Sequence, residues 1–128
     1  MNRAIDTGVA ANIGAFSDAI QVDSGSRLLV TAGTVGVRPD GTCPESFAEQ
    51  AEQAWANIAR ALEQAGMTVN DLIKVNQYLL RREDLAAYRE VRARYATDPL
   101  PASTLVFVAA LVRPEWLIEI EAWAAKSP

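Results

Sequence analysis

The residues best suited to chemistry in this chain are two glutamates set inside an apolar run near the end of the sequence. Glu119 and Glu121 alternate with apolar residues in the segment 116–123. Alternation with a period of two predicts a β-strand that carries both carboxylates on one face. Burying an ionised carboxylate without a partner costs far more than burying an amide. The pair therefore indicates either a ligand site or a structural ion pair.

Two features of the composition exclude whole classes of catalysis. The chain has no histidine, which rules out Ser-His-Asp triads, Cys-His dyads, histidine-ligated zinc and a two-histidine ribonuclease mechanism. Its one cysteine, Cys43, lies in a turn-rich loop and can form neither an intramolecular disulfide nor a thiolate metal cluster. We therefore expect no metal and no cofactor, and we interpret Cys43 as an incidental loop thiol.

Length and composition predict one domain that spans residues 1–128. A chain of 128 residues can remove roughly 65–70% of its unfolded surface from water, so it can fold without disulfides. The sequence shows no apolar run near the ~20 residues that span a bilayer, and no basic-then-apolar leader at its start. A net charge of −4 disfavours a phosphate-backbone partner. We expect a cytoplasmic protein that binds neither membrane nor nucleic acid.

The first elements that must position the acidic pair follow from periodicity and turn signals. The runs 19–22 and 27–32 favour β-structure and are joined by an Asp-Ser-Gly-Ser turn, so we expect them to form an antiparallel hairpin. Ser46, with Glu49 three residues later, forms a capping box that predicts the start of a helix. Apolar residues recur at helical spacing after it, and Gly66 predicts the end of the helix.

The second half of the chain alternates strand and helix again. Residues 73–80 are predicted to form a strand, and Asp84 is expected to cap a second helix with apolar residues on one face as far as Tyr95. The segment Asp98-Pro-Leu-Pro ends that helix, because proline lacks an amide hydrogen. Two further strands follow. The order β-β-α-β-α-β-β predicts a single α+β domain whose mixed sheet has two helices on one face.

Two helices can cover only one face of such a sheet, yet several strands are apolar on both faces. In one strand Leu105 and Phe107 alternate with Val106 and Val108, so the two pairs point to opposite sides. Another copy of the chain is the candidate cover for the second face, in a closed ring or a symmetric dimer. We therefore predict a homo-oligomer.

Segments spread over nearly the whole chain occur in an order and spacing typical of one family. They are Ile13-Gly-Ala-Phe-Ser-Asp-Ala-Ile, Leu29-Val-Thr-Ala-Gly, the helix 53–66, Asp71-Leu-Ile-Lys-Val, Pro101-Ala-Ser-Thr and Ile118-Glu-Ile-Glu-Ala. Together they resemble the Rid (reactive intermediate deaminase, YjgF-like) superfamily. The resemblance implies a chorismate-mutase-like fold and a homotrimer with three ligand clefts between subunits. It also implies hydrolysis of 2-imino acids to 2-oxo acids and ammonia.

The resemblance also implies which residues act. In the family's pattern the first glutamate of the Glu-Ile-Glu strand orients water, and here that residue is Glu119. An arginine that follows Pro-Ala anchors the substrate carboxylate in the family, whereas Ser103 stands at that position here. Serine offers one neutral donor where an arginine fork offers two charge-assisted hydrogen bonds. We therefore expect the usual 2-imino acids to bind poorly.

Four further residues complete the predicted substrate-binding set. Phe16 stands where many members of the family carry a phenol, and Thr104 offers a hydroxyl that either binds a ligand or satisfies local backbone. Gly33 is expected to let a ligand lie against the main chain. Arg89 could supply a cation from another direction, although a solvated helix arginine or an intrahelical salt bridge is the favoured interpretation.

Three functions stay open at the level of the sequence. The first is a hydrolase of enamine, imine or related small molecules in which Glu119 orients water. The alternative is a non-catalytic trimer whose clefts bind a metabolite and regulate a partner. The third is the endoribonuclease or translation-inhibitor role attributed to some members of the family. It is the least favoured, because the chain is acidic and contains no histidine.

Overall fold

The computed structural model of the chain describes residues 1–95 and 97–128. These residues form two α-helices, seven strands and short 3-10 turns, which confirms the predicted α+β class. The elements are β1 (Arg3–Ile5), β2 (Ala19–Gln21), β3 (Arg27–Val30), β4 (Thr34–Val35), α1 (Phe47–Gln64), β5 (Leu72–Leu79), α2 (Leu85–Ala93), β6 (Ala102–Phe107) and β7 (Ile118–Lys126).

The main sheet is mixed and is built around the last strand of the chain. Its order is β3-β7-β5-β6, and β4 also pairs with β7. Only β5 and β6 run parallel in this sheet; the pairs that involve β7 are antiparallel. The register places Glu119 of β7 opposite Tyr78 of β5 and Val35 of β4. The predicted mixed sheet is confirmed, and β7 is the strand that orders its neighbours.

The predicted hairpin between the runs 19–22 and 27–32 is wrong. β2 pairs with β1 in a separate two-stranded sheet, whereas β3 pairs with β7 in the main sheet. The intervening turn does form, with the Ser26 hydroxyl donating to the Asp23 carbonyl oxygen at 2.8 Å. The strands separate after it because the nine-residue β7 offers β3 a continuous register of four residue pairs. The order inferred from the sequence also missed β1 and β4, which have only three and two residues.

Helix α1 begins and ends where the sequence predicts. The Ser46 hydroxyl oxygen accepts a hydrogen bond from the backbone N–H of Glu49 at 3.2 Å, as an N-cap does. Gly66 follows the helix with a φ of +72°, a conformation that favours glycine and stops the helix. One face of the helix is fully buried and packs on the sheet; its residues include Ala51, Ala54, Trp55, Ile58 and Leu62.

Helix α2 begins at the predicted place, but its capping residue acts differently from the prediction. Asp84 occupies the N-cap position, yet its side chain makes no capping hydrogen bond. Instead, its carboxylate accepts hydrogen bonds from the Arg81 guanidinium at 2.8 and 3.1 Å. Tyr88 and Val91 are the residues of α2 that are buried. The helix therefore docks through an aromatic ring and a valine on the same face.

The helices cover one face of the main sheet, which we call the covered face, as the prediction required. Buried residues of β5 and β7 point to this side, among them Val75, Leu79, Ile118 and Ile120. The opposite side, which we call the open face, carries the exposed side chains of Leu28, Val30 and Val106. No helix in the part of the chain that the structure describes is long and apolar enough to cross a membrane.

Candidate functional site

Glu119 lies on the open face of the sheet, as the second residue of β7. Its side chain is half-buried, because its neighbours Ile118 and Ile120 point into the core and hold the strand in place. Within residues 1–95 and 97–128, no cation lies within ion-pair distance of its carboxylate, and no side chain donates a hydrogen bond to it. Within the described part of one protomer, Glu119 therefore forms no ion pair, and a structural ion pair near a subunit contact stays an alternative prediction.

Gly33 makes room for the Glu119 carboxylate. This glycine is exposed and directly precedes β4, whose Val35 is the register partner of Glu119. A Cβ atom placed on Gly33 would lie 2.9 Å from Cδ of Glu119, which is closer than real Cβ contacts occur. The missing side chain thus lets the carboxylate lie directly against an accessible stretch of main chain. The structure brings these two predicted site residues together.

Glu121 lies two residues further along the same face, but its carboxylate is occupied. Its Oε1 accepts hydrogen bonds from the Tyr78 hydroxyl at 2.5 Å and from the Asn76 side-chain amide at 3.1 Å. The bond to the Glu121 carboxylate, together with burial, raises the pKa of Tyr78 above its ordinary value. The two glutamates therefore differ: Glu121 is held by β5, whereas Glu119 is not.

Ser103 lies on the covered face, opposite to the side that carries Glu119. Ser103 belongs to β6, and its register partner is Val75 of β5. Its hydroxyl oxygen accepts a hydrogen bond from Nε2 of Gln77 at 2.8 Å. Oε1 of Gln77 in turn accepts from the Tyr88 hydroxyl at 2.5 Å. Desolvation by burial raises the pKa of Tyr88 well above its ordinary value, which keeps this hydroxyl protonated. Ser103 is thus connected to a buried polar network beneath α2.

Thr104 points to the open face and is separated from Ser103 by the pleat of the strand. Its hydroxyl oxygen accepts a hydrogen bond from Nζ of Lys74 at 2.8 Å, and the residue is exposed. Adjacent residues of a strand point to opposite sides of the sheet. A ligand bound to one face of this protomer therefore cannot contact both hydroxyls. The structure therefore does not bring these two predicted residues together.

The segment that contains Phe16 runs beside the beginning of β6. The backbone N–H of Ser17 donates to the carbonyl oxygen of Pro101 at 3.0 Å, and Ser17 forms a parallel bridge with Ala102. Phe16 lines a shallow depression together with Gly14 and other residues of the N-terminal segment. Phe16 directly precedes Ser17, and Ser103 directly follows Ala102. This pairing therefore places Phe16 and Ser103 on adjacent backbone segments.

Arg89 is exposed on α2. Neither of the salt-bridge partners considered for it is used: Asp84 is paired with Arg81, and no described residue forms an ion pair with Glu90 or Arg89. Its position therefore matches the solvated helix arginine of the favoured interpretation. Its contacts within the described part of one protomer do not connect it to Glu119 or Ser103.

One protomer thus carries two separate groups of predicted site residues. The first group is Glu119 with Gly33 on the open face, and the second is Ser103 with the Phe16 segment at the start of β6. Sequence reasoning missed Gln77, although its signal was present. The alternation in β5 places Gln77 on the buried face between valine and leucine, and a buried amide requires partners.

Comparison with known proteins agrees with this architecture. A family model described as Endoribonuclease L-PSP matches residues 7–126. A RutC family protein of Pyrococcus horikoshii is 37% identical over 116 residues, which cover 89% of each chain. A 2-iminobutanoate/2-iminopropanoate deaminase of Escherichia coli is 32% identical over 109 residues, which cover 82% of this chain and 84% of that one.

A solved structure also superposes closely. It is the crystal structure of a protein of unknown function from the conserved Rid family of Yersinia pestis, with a TM-score of 0.85 and 32% sequence identity over 98% of each chain. Sequence and fold therefore agree over almost the full length. The chain belongs to the Endoribonuclease L-PSP family, which is the YjgF/Rid family.

Proposed function

We propose that this protein is a Rid-type hydrolase that acts on the C=N bond of a small enamine- or imine-type molecule, in clefts between the subunits of a homotrimer. The observation that carries the proposal is the carboxylate of Glu119. It is half-buried, has no ion-pair partner among the described residues and lies against the main chain at Gly33. The deaminase name of a relative that is 32% identical supports the same class of reaction.

The chemistry asks for one proton acceptor and an oriented water. The Glu119 carboxylate accepts a proton from water as the oxygen attacks the imine carbon, and the C=N π electrons move to nitrogen. The proton then passes from Glu119 to the nitrogen of the carbinolamine. Glu119 next takes the hydroxyl proton of the carbinolamine and returns it to the amino nitrogen as the C–N bond breaks, so that ammonia leaves and the carbon becomes a carbonyl. The exposed backbone beside Gly33 offers a surface along which the substrate can lie.

The homotrimer is part of the proposal because one protomer separates the two groups of site residues. Glu119 projects from the open face and Ser103 lies on the covered face, so a single ligand can contact both only if they come from different copies. The open face also carries the exposed apolar residues Leu28, Val30 and Val106. A copy of the chain packed there would remove these side chains from water.

The activity is tested by following ammonia release from 2-iminopropanoate generated in situ from alanine by an amino-acid oxidase. We expect an acceleration over spontaneous hydrolysis that is slow, because Ser103 provides no cation for the carboxylate. Replacing Ser103 by arginine should raise the rate. If neither the wild type nor Ser103→Arg accelerates ammonia release, the deaminase-type reaction is wrong for this protein.

A non-catalytic binding trimer is the second candidate, favoured specifically by the neutral Ser103. A ligand that binds only the native state raises the melting temperature by mass action. Thermal stabilisation by small 2-oxo acids or their amides, without turnover of any imine, would identify this alternative.

Sedimentation equilibrium at micromolar protomer concentration tests the assembly. We expect the mass of three chains of 13.8 kDa. A stable monomer would contradict the clefts between subunits.

A further inference from the structure

Four side chains form a continuous chain of hydrogen bonds from helix α1 to the edge strand β6. Nε1 of Trp55 donates to the Tyr88 hydroxyl oxygen at 3.3 Å, and the Tyr88 hydroxyl donates to Oε1 of Gln77 at 2.5 Å. Nε2 of Gln77 then donates to the Ser103 hydroxyl oxygen at 2.8 Å. We call this series the relay. It crosses the core and ends at the edge of the sheet.

The direction of the relay is fixed at both ends. The indole N–H of Trp55 can only donate, so the Tyr88 oxygen accepts and its own hydrogen must go to Gln77. At the other end, Nε2 of Gln77 also donates to the carbonyl oxygen of Thr104 at 3.0 Å, and a carbonyl oxygen can only accept. Both constraints assign the same orientation to the Gln77 amide. Every hydrogen bond in the relay therefore points toward Ser103.

The relay is neutral and closed to solvent except at Ser103. Trp55 is 0% exposed, Tyr88 is 2% exposed and Gln77 is 2% exposed, whereas Ser103 is only partly buried. The Ser103 oxygen already accepts from Gln77, and no described residue accepts the hydrogen of the Ser103 hydroxyl. Hydrogen bonds that run in one direction polarise one another, which makes the terminal hydroxyl a better donor.

We propose that the Ser103 hydroxyl donates this hydrogen to a neutral acceptor of the ligand, a carbonyl oxygen of an amide or a related uncharged group, and that Gln77 and Tyr88 are positioning residues for it. This inference rests on the proposed function and names its substrate class: the group bound at β6 is uncharged. Lys74, the cation on the adjacent strand β5, is bonded to Thr104 on the opposite face. A carboxylate at Ser103 would lose hydration and gain one hydrogen bond from an uncharged donor.

The test compares pyruvate with pyruvamide, which have the same shape and differ in charge. Dissociation constants are measured by isothermal titration on the intact protein. We expect pyruvamide to bind at least about tenfold more tightly than pyruvate to the wild type, since the carboxylate of pyruvate loses more hydration than an amide when it leaves water. Ser103→Ala should weaken pyruvamide binding about tenfold, since loss of a neutral hydrogen bond changes affinity by about this factor, and Ser103→Arg should reverse the preference in favour of pyruvate.

Tyr88→Phe tests the relay itself, and Tyr95→Phe is its matched control. Both tyrosines contact Trp55, Tyr88 through its hydroxyl and Tyr95 by ring stacking, but the Tyr95 hydroxyl donates to Glu52 at 2.9 Å, outside the relay. We expect Tyr88→Phe to weaken pyruvamide about threefold and to leave pyruvate unchanged, whereas Tyr95→Phe should change neither. Melting curves of both variants establish that they are folded, and Ser103→Ala, at the sheet edge, tests the proposal independently of the core.

The outcomes separate this inference from the proposed function. Tighter binding of pyruvate than pyruvamide by the wild type overturns the inference, even if imine hydrolysis by Glu119 is measured. Equal affinity of Ser103→Ala and wild type for pyruvamide overturns it as well, as does binding of neither probe. Loss of imine hydrolysis with retained preference for pyruvamide would instead overturn the catalytic proposal and leave the inference intact.

Discussion

The covered face and the open face of the main sheet both contain polar side chains, but they supply partners to them differently. On the covered face, the relay runs from Trp55 through Tyr88 and Gln77 to Ser103. Within the described residues, the Ser103 hydroxyl at its end has no acceptor for its hydrogen. On the open face, Glu121 is held by two donors whereas Glu119 has no described partner. Each face thus contains a predicted site residue with an unused hydrogen-bonding group, Ser103 on the covered face and Glu119 on the open face, and a ligand can bind there.

The physical reason for the difference is the cost of burial. A polar group in the core must be hydrogen-bonded, because leaving it unsatisfied costs about 1–3 kcal/mol. A half-buried carboxylate keeps part of its hydration and can stay unpaired in one protomer. Glu119 can therefore stay unpaired until a substrate binds, whereas Gln77 requires its hydrogen-bond partners in every folded molecule. The carboxylate on the open face is therefore available for proton transfer, whereas the hydrogen bonds on the covered face fix the orientation of the Ser103 hydroxyl.

The largest expected effect comes from Glu119→Gln, which replaces the unpaired carboxylate on the open face by a neutral amide. Removing the proton acceptor should lower the rate of ammonia release from an in situ imine about 100-fold or more. Stability should change by less than about 1 kcal/mol, because the replacement has the same shape and the side chain is half-buried. Steady-state kinetics and urea unfolding at one protein concentration measure the two quantities.

Glu121→Gln is the matched control for that experiment. The glutamine oxygen can still accept from Tyr78 and Asn76, so we expect the rate to stay within about threefold of wild type. The weaker bonds to a neutral acceptor should lower the free energy of unfolding by about 1 kcal/mol. An equal loss of rate in both variants would show that the glutamates are not differentiated as their contacts indicate.

A smaller effect is expected from Gly33→Ala, which tests the close approach between Gly33 and the Glu119 carboxylate. The new Cβ atom would meet Cδ of Glu119 at 2.9 Å, so the carboxylate must move. We expect about a tenfold loss of rate and a destabilisation of about 1–3 kcal/mol. In a Glu119→Ala background the same substitution should cost almost no stability, because the colliding atoms are gone. A similar cost in both backgrounds would assign the effect to the backbone instead.

The smallest effect concerns the tyrosines, which occur on both faces. All three tyrosines of the chain have a pKa above the ordinary value in the folded state, and burial followed by a hydrogen bond to Glu52 raises the pKa of Tyr95 to about 12. A group whose folded pKa is raised contributes stability that is complete below its unfolded pKa, near pH 10, and is lost as the pH rises through the folded value.

Absorbance at 295 nm should therefore show little tyrosinate in the folded protein at pH 10. The free energy of unfolding should decline between about pH 10 and pH 12. Tyr95→Phe, which removes one of the titrating groups, should decline less steeply. A tyrosine that ionises freely near pH 10 while the protein is folded would contradict the contacts described for these hydroxyls.

Much of the fold could be predicted because local signals and long-range packing agree. Ser46 and Gly66 bound α1 through backbone chemistry that needs no tertiary partner, and period-two alternation identified β5 and β7. The hairpin prediction failed because strand pairing is decided by which partner is available in space. Turn residues at 23–26 indicate a reversal of the chain, but they do not determine the partner of either strand.

The site could be predicted only in part, for a related reason. Glu119 is found from a carboxylate in an apolar strand, and Gly33 from the absence of a side chain. Gln77 and Tyr88 belong to the same buried network as Ser103, yet they lie on β5 and α2, far apart in sequence. Hydrogen bonds between distant elements leave no spacing pattern in one sequence, so the direction of the relay becomes visible only in three dimensions.

The central position of β7 has a consequence for how this protein is made in the cell. Three strands from earlier parts of the chain, β3, β4 and β5, pair with it, so these partners are synthesised before it. Until the ribosome has added residues 118–126, those strands have unpaired edges and the nascent chain has no closed sheet. The carboxylate at position 119 is therefore added together with the strand that holds it, so a translation product that stops before residue 118 lacks both the carboxylate and the strand around which the sheet is built.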